Sequence, residues 1–214
     1  WAGEYGNAYK EAKEVVDATY STGSTSTASC FNFSNSLTTN RKDYNSIIMT
    51  FFKSTCYEDY LPYMTKGNDV VLVVNTTNLF GADDRNLDLF GDWDGGDIKY
   101  SFKYDIKEGT SGTDMIPAIR LSEMYYIMGE YFAYKDEFSK AGEMLDKVRY
   151  ARGISTTNLA SSIGSLEVFH THLIKEMRRE FVGEGQMFFQ YKRLDQKPKD
   201  NVVFVFDKPN NEDI

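Results

Sequence analysis

Only two histidines occur in the chain, His170 and His172, separated by one residue. As zinc ligands they would need a strand or loop beneath them and a third partner. Residues 166–182 read as a helix, so the two rings diverge and the pair is expected to be a solvated helix start. The same scarcity nearly excludes a histidine-based triad, and neither Cys30 nor Cys56 has a base near it in sequence. Glu176, Glu180 and Glu184 stand four apart, with Arg178 and Arg179 beside them. Two carboxyl groups about 5 to 9.5 Å apart across a cleft could hydrolyse a glycoside. Glu and Arg interleaved along one helix instead predict an ion-pair ladder. Asp92, Asp94 and Asp97 invite a calcium reading, but as an EF-hand the loop fails: Gly96 takes its fifth position and Lys103 its twelfth. A solvated acidic turn is the expectation, and no metal or cofactor is assigned.

The aromatic residues remain. Tyr57, Tyr60, Tyr63 and Trp93 fall outside the regular elements, beside Asp and Asn. A sugar ring offers an axial C–H face that stacks on such rings, while polar neighbours take its hydroxyls. Trp93, Tyr60 and Tyr63, with Asp92 as polar partner, are therefore the candidate ligand contacts. The alternative is that these rings only pack irregular loops against the rest of the fold.

Positioning falls to a helical frame. Residues 4–19 carry Ala8, Ala12, Val15 and Val16 at helical spacing against charged positions. The Ser-, Thr- and Asn-rich stretch 21–46 predicts a long irregular loop, followed by a short helical stretch over 44–52. Val70–Val74 and the alternating stretch 98–106 read as strands, with 81–97 between them as loop. Pro117 suits a helix start. The stretch 120–152 divides at Lys135 and Asp136 into two helices, with small residues at Gly129 and Ala141 where they would approach, and breaks at Gly153. These offsets follow the tetratricopeptide pattern, in which one unit cannot bury its own face and needs neighbours. Beyond Gly183 and Gly185 come Phe188, Phe189 and Tyr191, and Val202–Phe206 reads as a terminal strand.

Composition bounds the partners. With 214 residues, 41% hydrophobic and 26% charged, the chain can bury one substantial core. The 24 Lys and Arg against 32 Asp and Glu give a net charge of −8. Such a chain is poorly suited to a phosphate backbone or a polyanionic membrane surface. No apolar run reaches the roughly 18 residues needed to span a bilayer. At 15% aromatic, with 15 Tyr and 15 Phe, the content exceeds what the core requires and points to displayed rings. The chain starts at Trp1 without a basic or apolar leader, as a processed product or fragment would. Polar residues before Cys30 do not suit a lipid-attachment site, and Cys30 and Cys56 are equally compatible with a disulfide or two thiols.

Three segments carry a resemblance. They are Ile116–Ile127 followed by Gly129-Glu130, the stretch Ala141–Arg152 with its Leu-Asp-x-Val-Arg core, and Glu176–Arg193 with Arg-Arg-x-Glu-Phe and Gly-Glu-Gly. Pro209-x-x-Glu212 closes the series, and Asp84-Arg85 with Lys103-Tyr104 match less closely. In this order they resemble the C-terminal half of the SusD/RagB family of glycan-binding surface lipoproteins. Where that family usually has an Arg and, three residues on, an Asp, this chain has Met187 and Gln190. Joint loss of both is expected of a structural ion pair, since losing one alone strands a charge.

The resemblance implies a mainly α fold: a tetratricopeptide-like helical layer with an irregular, loop-rich region carrying short strands. One SusD-like domain over 1–214, the later part of a longer chain, would comprise a helix at 1–20, the irregular region at 21–115, tetratricopeptide-like helices at 116–194 and a tail at 195–214. It further implies non-catalytic binding of an oligosaccharide at the outer-membrane surface and delivery to a TonB-dependent, SusC-like transporter. The lipid anchor would lie outside this chain. A tetratricopeptide-like interaction scaffold without glycan binding is the competing reading.

Overall fold

The computed structural model describes residues 3–22, 26–34, 37, 43–52, 73–74, 79–81, 83–92, 99–101, 103, 115–155 and 158–195. Helix α1 (Tyr5–Asp17) is followed by the short antiparallel pair β1 (Thr19–Ser21) and β2 (Thr27–Ser29). A 3-10 turn at Tyr44–Ser46 leads into β3 (Ile47–Phe52). Then come β4 (Val73–Val74), the short helix α2 (Asp84–Asp88), β5 (Phe90–Asp92), β6 (Lys99–Ser101) and β7 (Met115–Arg120). The helical layer follows as α3 (Leu121–Tyr134), α4 (Phe138–Ala151), α5 (Leu166–Glu180) and α6 (Gln186–Asp195). The fold is thus mostly helical with short strands.

Small residues set the closest helix contacts. A Cβ on Gly129 of α3 would lie 3.2 Å from the Phe169 ring and 3.4 Å from the Ala141 carbonyl oxygen, and Ala141 itself is sealed from solvent. The predicted approach at Gly129 and Ala141 is therefore real. Around it, Tyr126, Leu145, Val148, Phe169, Leu173, Met177 and Leu194 form the main core. Burying each of these large side chains contributes on the order of 1.5–3 kcal/mol. The α3–α4 break falls where expected, with Asp136 at a left-handed φ of 58°. Tyr5 and Tyr9 of α1 lie on Tyr134 and Tyr131 of α3, ring centroids 4.1 and 4.3 Å apart, which attaches α1 to the layer by its rings.

A second, smaller cluster joins Leu37, Leu79, Phe80, Leu89 and Phe90, with Val182 packed against it from the turn after α5. It seats α2 and β5 on the helices. Strands β4, β6 and β5 make one sheet in that order, with Phe90 opposite Ser101 and Asp92 opposite Lys99.

Five local expectations need correction. Residues 47–52 form a strand, not a helical stretch, because Ile47, Ile48, Phe51 and Phe52 suit a pleated surface and find a partner in β7. Pro117 lies within β7, opposite Thr50, and the helix begins only at Leu121. In a two-stranded sheet a proline can turn its N-less side outward, and the register shifts just beside it, between Met49 and Thr50. The stretch 21–46 contains β2 and the 3-10 turn, with its partner β1 already starting at Thr19, and 81–97 contains α2 and β5. Helix α2 exists because the Asp83 side chain accepts from the Arg85 backbone N–H at 3.0 Å, capping its start. His170, finally, is buried in α5 beside Tyr134 and Phe169, while His172 is half-buried. The pair is no solvated helix start: the helix begins at Leu166, a full turn earlier.

Candidate functional site

Of the four candidate ligand contacts, Tyr60, Tyr63 and Trp93 lie outside the described residues, as do Cys56 and the Val202–Phe206 run. Asp92 ends β5, paired with Lys99 across the strand pair, and Trp93 is the next residue in the chain. What the structure describes is the support beneath that point. Phe90 of β5 packs on Phe80, ring centroids 5.1 Å apart, and both rings are buried. Immediately before β5 comes α2, and α2 is tied to the helical layer through Arg85.

Arg85 is 1% exposed and spends its whole guanidinium on carboxylates. Its Nε and Nη2 donate to Asp83 at 2.9 and 2.6 Å, its Nη1 to Glu180 Oε2 at 2.8 Å, and its Nη2 also to Glu176 Oε2 at 3.1 Å. Glu180 in turn receives Arg152 Nη2 at 2.7 Å on Oε1 and Arg152 Nε at 3.2 Å on Oε2. Arg152 also reaches Asp43 Oδ2 at 2.8 Å and lies over the Phe33 ring. Glu176 is further held by Arg179 and by Arg149. Arg179 donates to the Leu79 carbonyl oxygen at 2.7 Å. Beyond the helix end, Glu184 meets both Lys103 and Arg120.

The expected ladder is thus a buried network with a different membership. Arg178 is exposed, and Glu176, Glu180 and Glu184 pair with residues from the irregular region as well as from α4 and α5. Low polarity around the network makes each bond electrostatically strong and each broken partner costly. Burial opposes charge on Glu180, yet Arg152 and Arg85 hold its carboxyl well below the usual range. Burial likewise opposes charge on Arg85, but Asp83 first, then Glu176 and Glu180, keep it charged. Lys103 is pulled down to about 8 by burial, only partly offset by Glu184. Glu123, whose Oε1 accepts from the Arg120 backbone N–H at 2.9 Å, is pushed up to about 7 by burial.

Between Asp43, Arg85, Arg120, Arg152 and Glu180 remains a cavity of about 10 Å³, room for about one water and no ligand. The network is therefore a positioning device. Glu180 and Glu176 are each almost wholly buried and clamped by arginines.

Sequence reasoning missed Asp43, Arg85, Lys103 and Arg152 as members of this network. The Asp83-x-Arg85 spacing and Lys103 carried a weak signal; Asp43 carried none, because its partner is remote in sequence. A second missed pair is Arg193–Glu130, 2.7 Å apart, which ties α6 to α3. Gln190 is buried and its Oε1 accepts from Arg193 Nε at 3.1 Å. Among the described residues, no group of acidic, histidine or cysteine side chains could hold a metal, and Cys30 is exposed and free. No helix among them is long and apolar enough to cross a membrane.

The SusD family model matches residues 84–211. Among solved structures, a SusD superfamily protein from Bacteroides thetaiotaomicron aligns over 89% of this chain and 46% of its own, at 22% identity and a TM-score of 0.61. A second, from Bacteroides fragilis, aligns over 88% and 47%, at 13% identity and a TM-score of 0.59. The chain thus spans just under half the length of either structure, and the likeness is one of fold. A search of curated proteins finds no match.

Proposed function

The chain belongs to the SusD family, and on that premise we propose that it binds oligosaccharide without cleaving it. In this reading the protein sits at the outer-membrane surface, lipid-anchored through a part outside this chain. It hands its ligand to a TonB-dependent, SusC-like transporter. Contact falls to Trp93, Tyr60 and Tyr63 by stacking, with Asp92 taking hydroxyls.

One observation carries the reading. The family-matched stretch supplies the arginines, lysine and glutamates of a buried network, and that network holds α2, which leads into β5 and its last residue Asp92, next to Trp93 in the chain. Acidic residues of the kind that serve hydrolysis, Glu176 and Glu180, are spent on structure, which supports binding over catalysis. A rigid base under a variable loop is how binding loops are generally held. Affinity in this account is modest, since delivery requires release.

The scaffold reading has one observation of its own. Phe188 and Phe189 on α6 are each 68% exposed, their rings 5.4 Å apart, an unusual display for a surface helix. Reducing-sugar release across a panel of oligosaccharides tests the non-catalytic element. No release is expected from any glycan that binds; release by the chain, abolished in Glu176→Gln or Glu180→Gln, would overturn it.

A further inference from the structure

Helix α6 has a held side and an open side. Leu194 and Gln190 are buried, and Arg193 ties the helix to Glu130 of α3 at 2.7 Å. On the opposite side Phe188 and Phe189 are exposed, their ring centroids 5.4 Å apart, and Lys192 follows one turn on, also exposed. We propose that this face is the docking site of the chain's own run Val202–Phe206, which returns along α6 as a strap. The inference is independent of the glycan reading at Trp93.

Reach is the first reason. Helix α6 ends at Asp195, and the apolar run begins at Val202. At about 1.5 Å of rise per residue, the two rings lie about 9–10 Å back along the helix from Asp195. The connecting residues 196–201 span up to about 20 Å when extended, enough for a turn and a return. Pro198 falls among them, and proline suits a turn. A segment tethered this close acts at an effective concentration on the order of millimolar, which a second copy of the chain does not match in dilute solution.

Chemistry is the second reason. Val202–Phe206 reads Val-Val-Phe-Val-Phe, a run without charge that gains by being covered. In an extended segment Val202, Phe204 and Phe206 share one face, so two rings of the run meet the ring pair of the helix. Charge sets the direction. Asp200 precedes the run, and Lys192 follows the rings. An antiparallel return therefore sets carboxylate beside ammonium in the same register that lays the run over Phe189 and Phe188. The pair adds little energy at the surface but favours this direction over its reverse.

Limited elastase digestion of the intact chain, with the cut sites located by mass, tests the strap. Cleavage after the valines of 202–206 is expected to be at least tenfold slower than in the free peptide 196–214, and equally slow at low and high protein concentration. In Phe188→Ser/Phe189→Ser it is expected to approach the peptide rate, with the unfolding midpoint unchanged because both rings are exposed in α6. A second variant, Phe204→Ser/Phe206→Ser, leaves the helical layer untouched. It should uncover the ring pair and raise the fluorescence of an added hydrophobic dye at least threefold. Cleavage at the peptide rate in the parent, or protection that survives the loss of Phe188 and Phe189, would overturn the proposal. So would protection that grows with concentration, which assigns the face to a second copy, or unchanged dye fluorescence in the second variant.

Discussion

Arg85 Nη1 stands 2.8 Å from Glu180 Oε2, a bond between residues 95 positions apart, with both side chains almost wholly buried. It joins α2, which leads directly into β5 and Asp92, to the end of α5 in the helical layer. The irregular region and the helices are therefore held together by charge as well as by the Phe80–Phe90 cluster.

Removing that guanidinium should be severe. Arg85→Met leaves Asp83, Glu176 and Glu180 buried with fewer cations, a change that costs about 3–5 kcal/mol. Urea denaturation of the two proteins checks it. Adding Glu180→Gln to Arg85→Met should return part of the loss, because one stranded charge is then gone.

Two carboxylates should impose opposite pH dependences. The Glu180 pKa is depressed when folded, by Arg152 and Arg85, so its stabilising contribution is present above the unfolded value near 4.5 and is lost as pH falls through the folded value. The Glu123 pKa is raised to about 7, first by burial, so folding favours its protonated form and its contribution falls away between about pH 4.5 and 7. Glu123→Gln keeps an acceptor for the Arg120 N–H and removes that titration. Relative to the parent it should gain on the order of 2–3 kcal/mol between pH 4 and pH 8, measured by denaturation at each pH. A constant difference would contradict the assignment.

Gly153 answers to two constraints at once. Its φ is +80°, and a Cβ there would collide with the Asp84 carboxylate, while the Asp84 N–H donates to the Arg152 carbonyl oxygen at 3.1 Å. Gly153→Ala is expected to lose about 2–4 kcal/mol, of which about 1–2 is left-handed strain. In an Asp84→Ala background only the strain part should remain. Thermal denaturation of the four proteins separates the two terms.

The core predicts a simpler loss. Leu145 is sealed from solvent among Phe169, Leu173 and their neighbours, so Leu145→Ala should cost about 3–5 kcal/mol through lost burial and the cavity left behind.

Legibility followed sequence distance. Helices α1, α3, α4 and α5 show a helical period over many residues, and Gly129 and Ala141 sit where local spacing puts them, so these were readable. Ile47–Phe52 has no period at all, and only its partner β7, far along the chain, makes it a strand. Pro117 looks like a helix start because the same residue suits the outer side of a two-stranded sheet. The network escaped for the same physical reason: Asp43, Arg85 and Arg152 meet only after the chain has folded back on itself. Glu176 and Glu180 were visible as a charged pattern, but burial, which turns a surface ladder into an internal brace, is a tertiary property. The proposed ligand contacts at Trp93, Tyr60 and Tyr63 rest on residue type alone, since irregular sequence carries no periodic signal.

Oligosaccharide capture is the central claim, and a glycan-array screen of the folded chain beside its Trp93→Ala variant tests it most directly. The account expects selective retention of at least one oligosaccharide, reduced at least tenfold in Trp93→Ala with the unfolding midpoint unchanged. A folded chain that retains no glycan across the array would contradict it and favour the interaction scaffold.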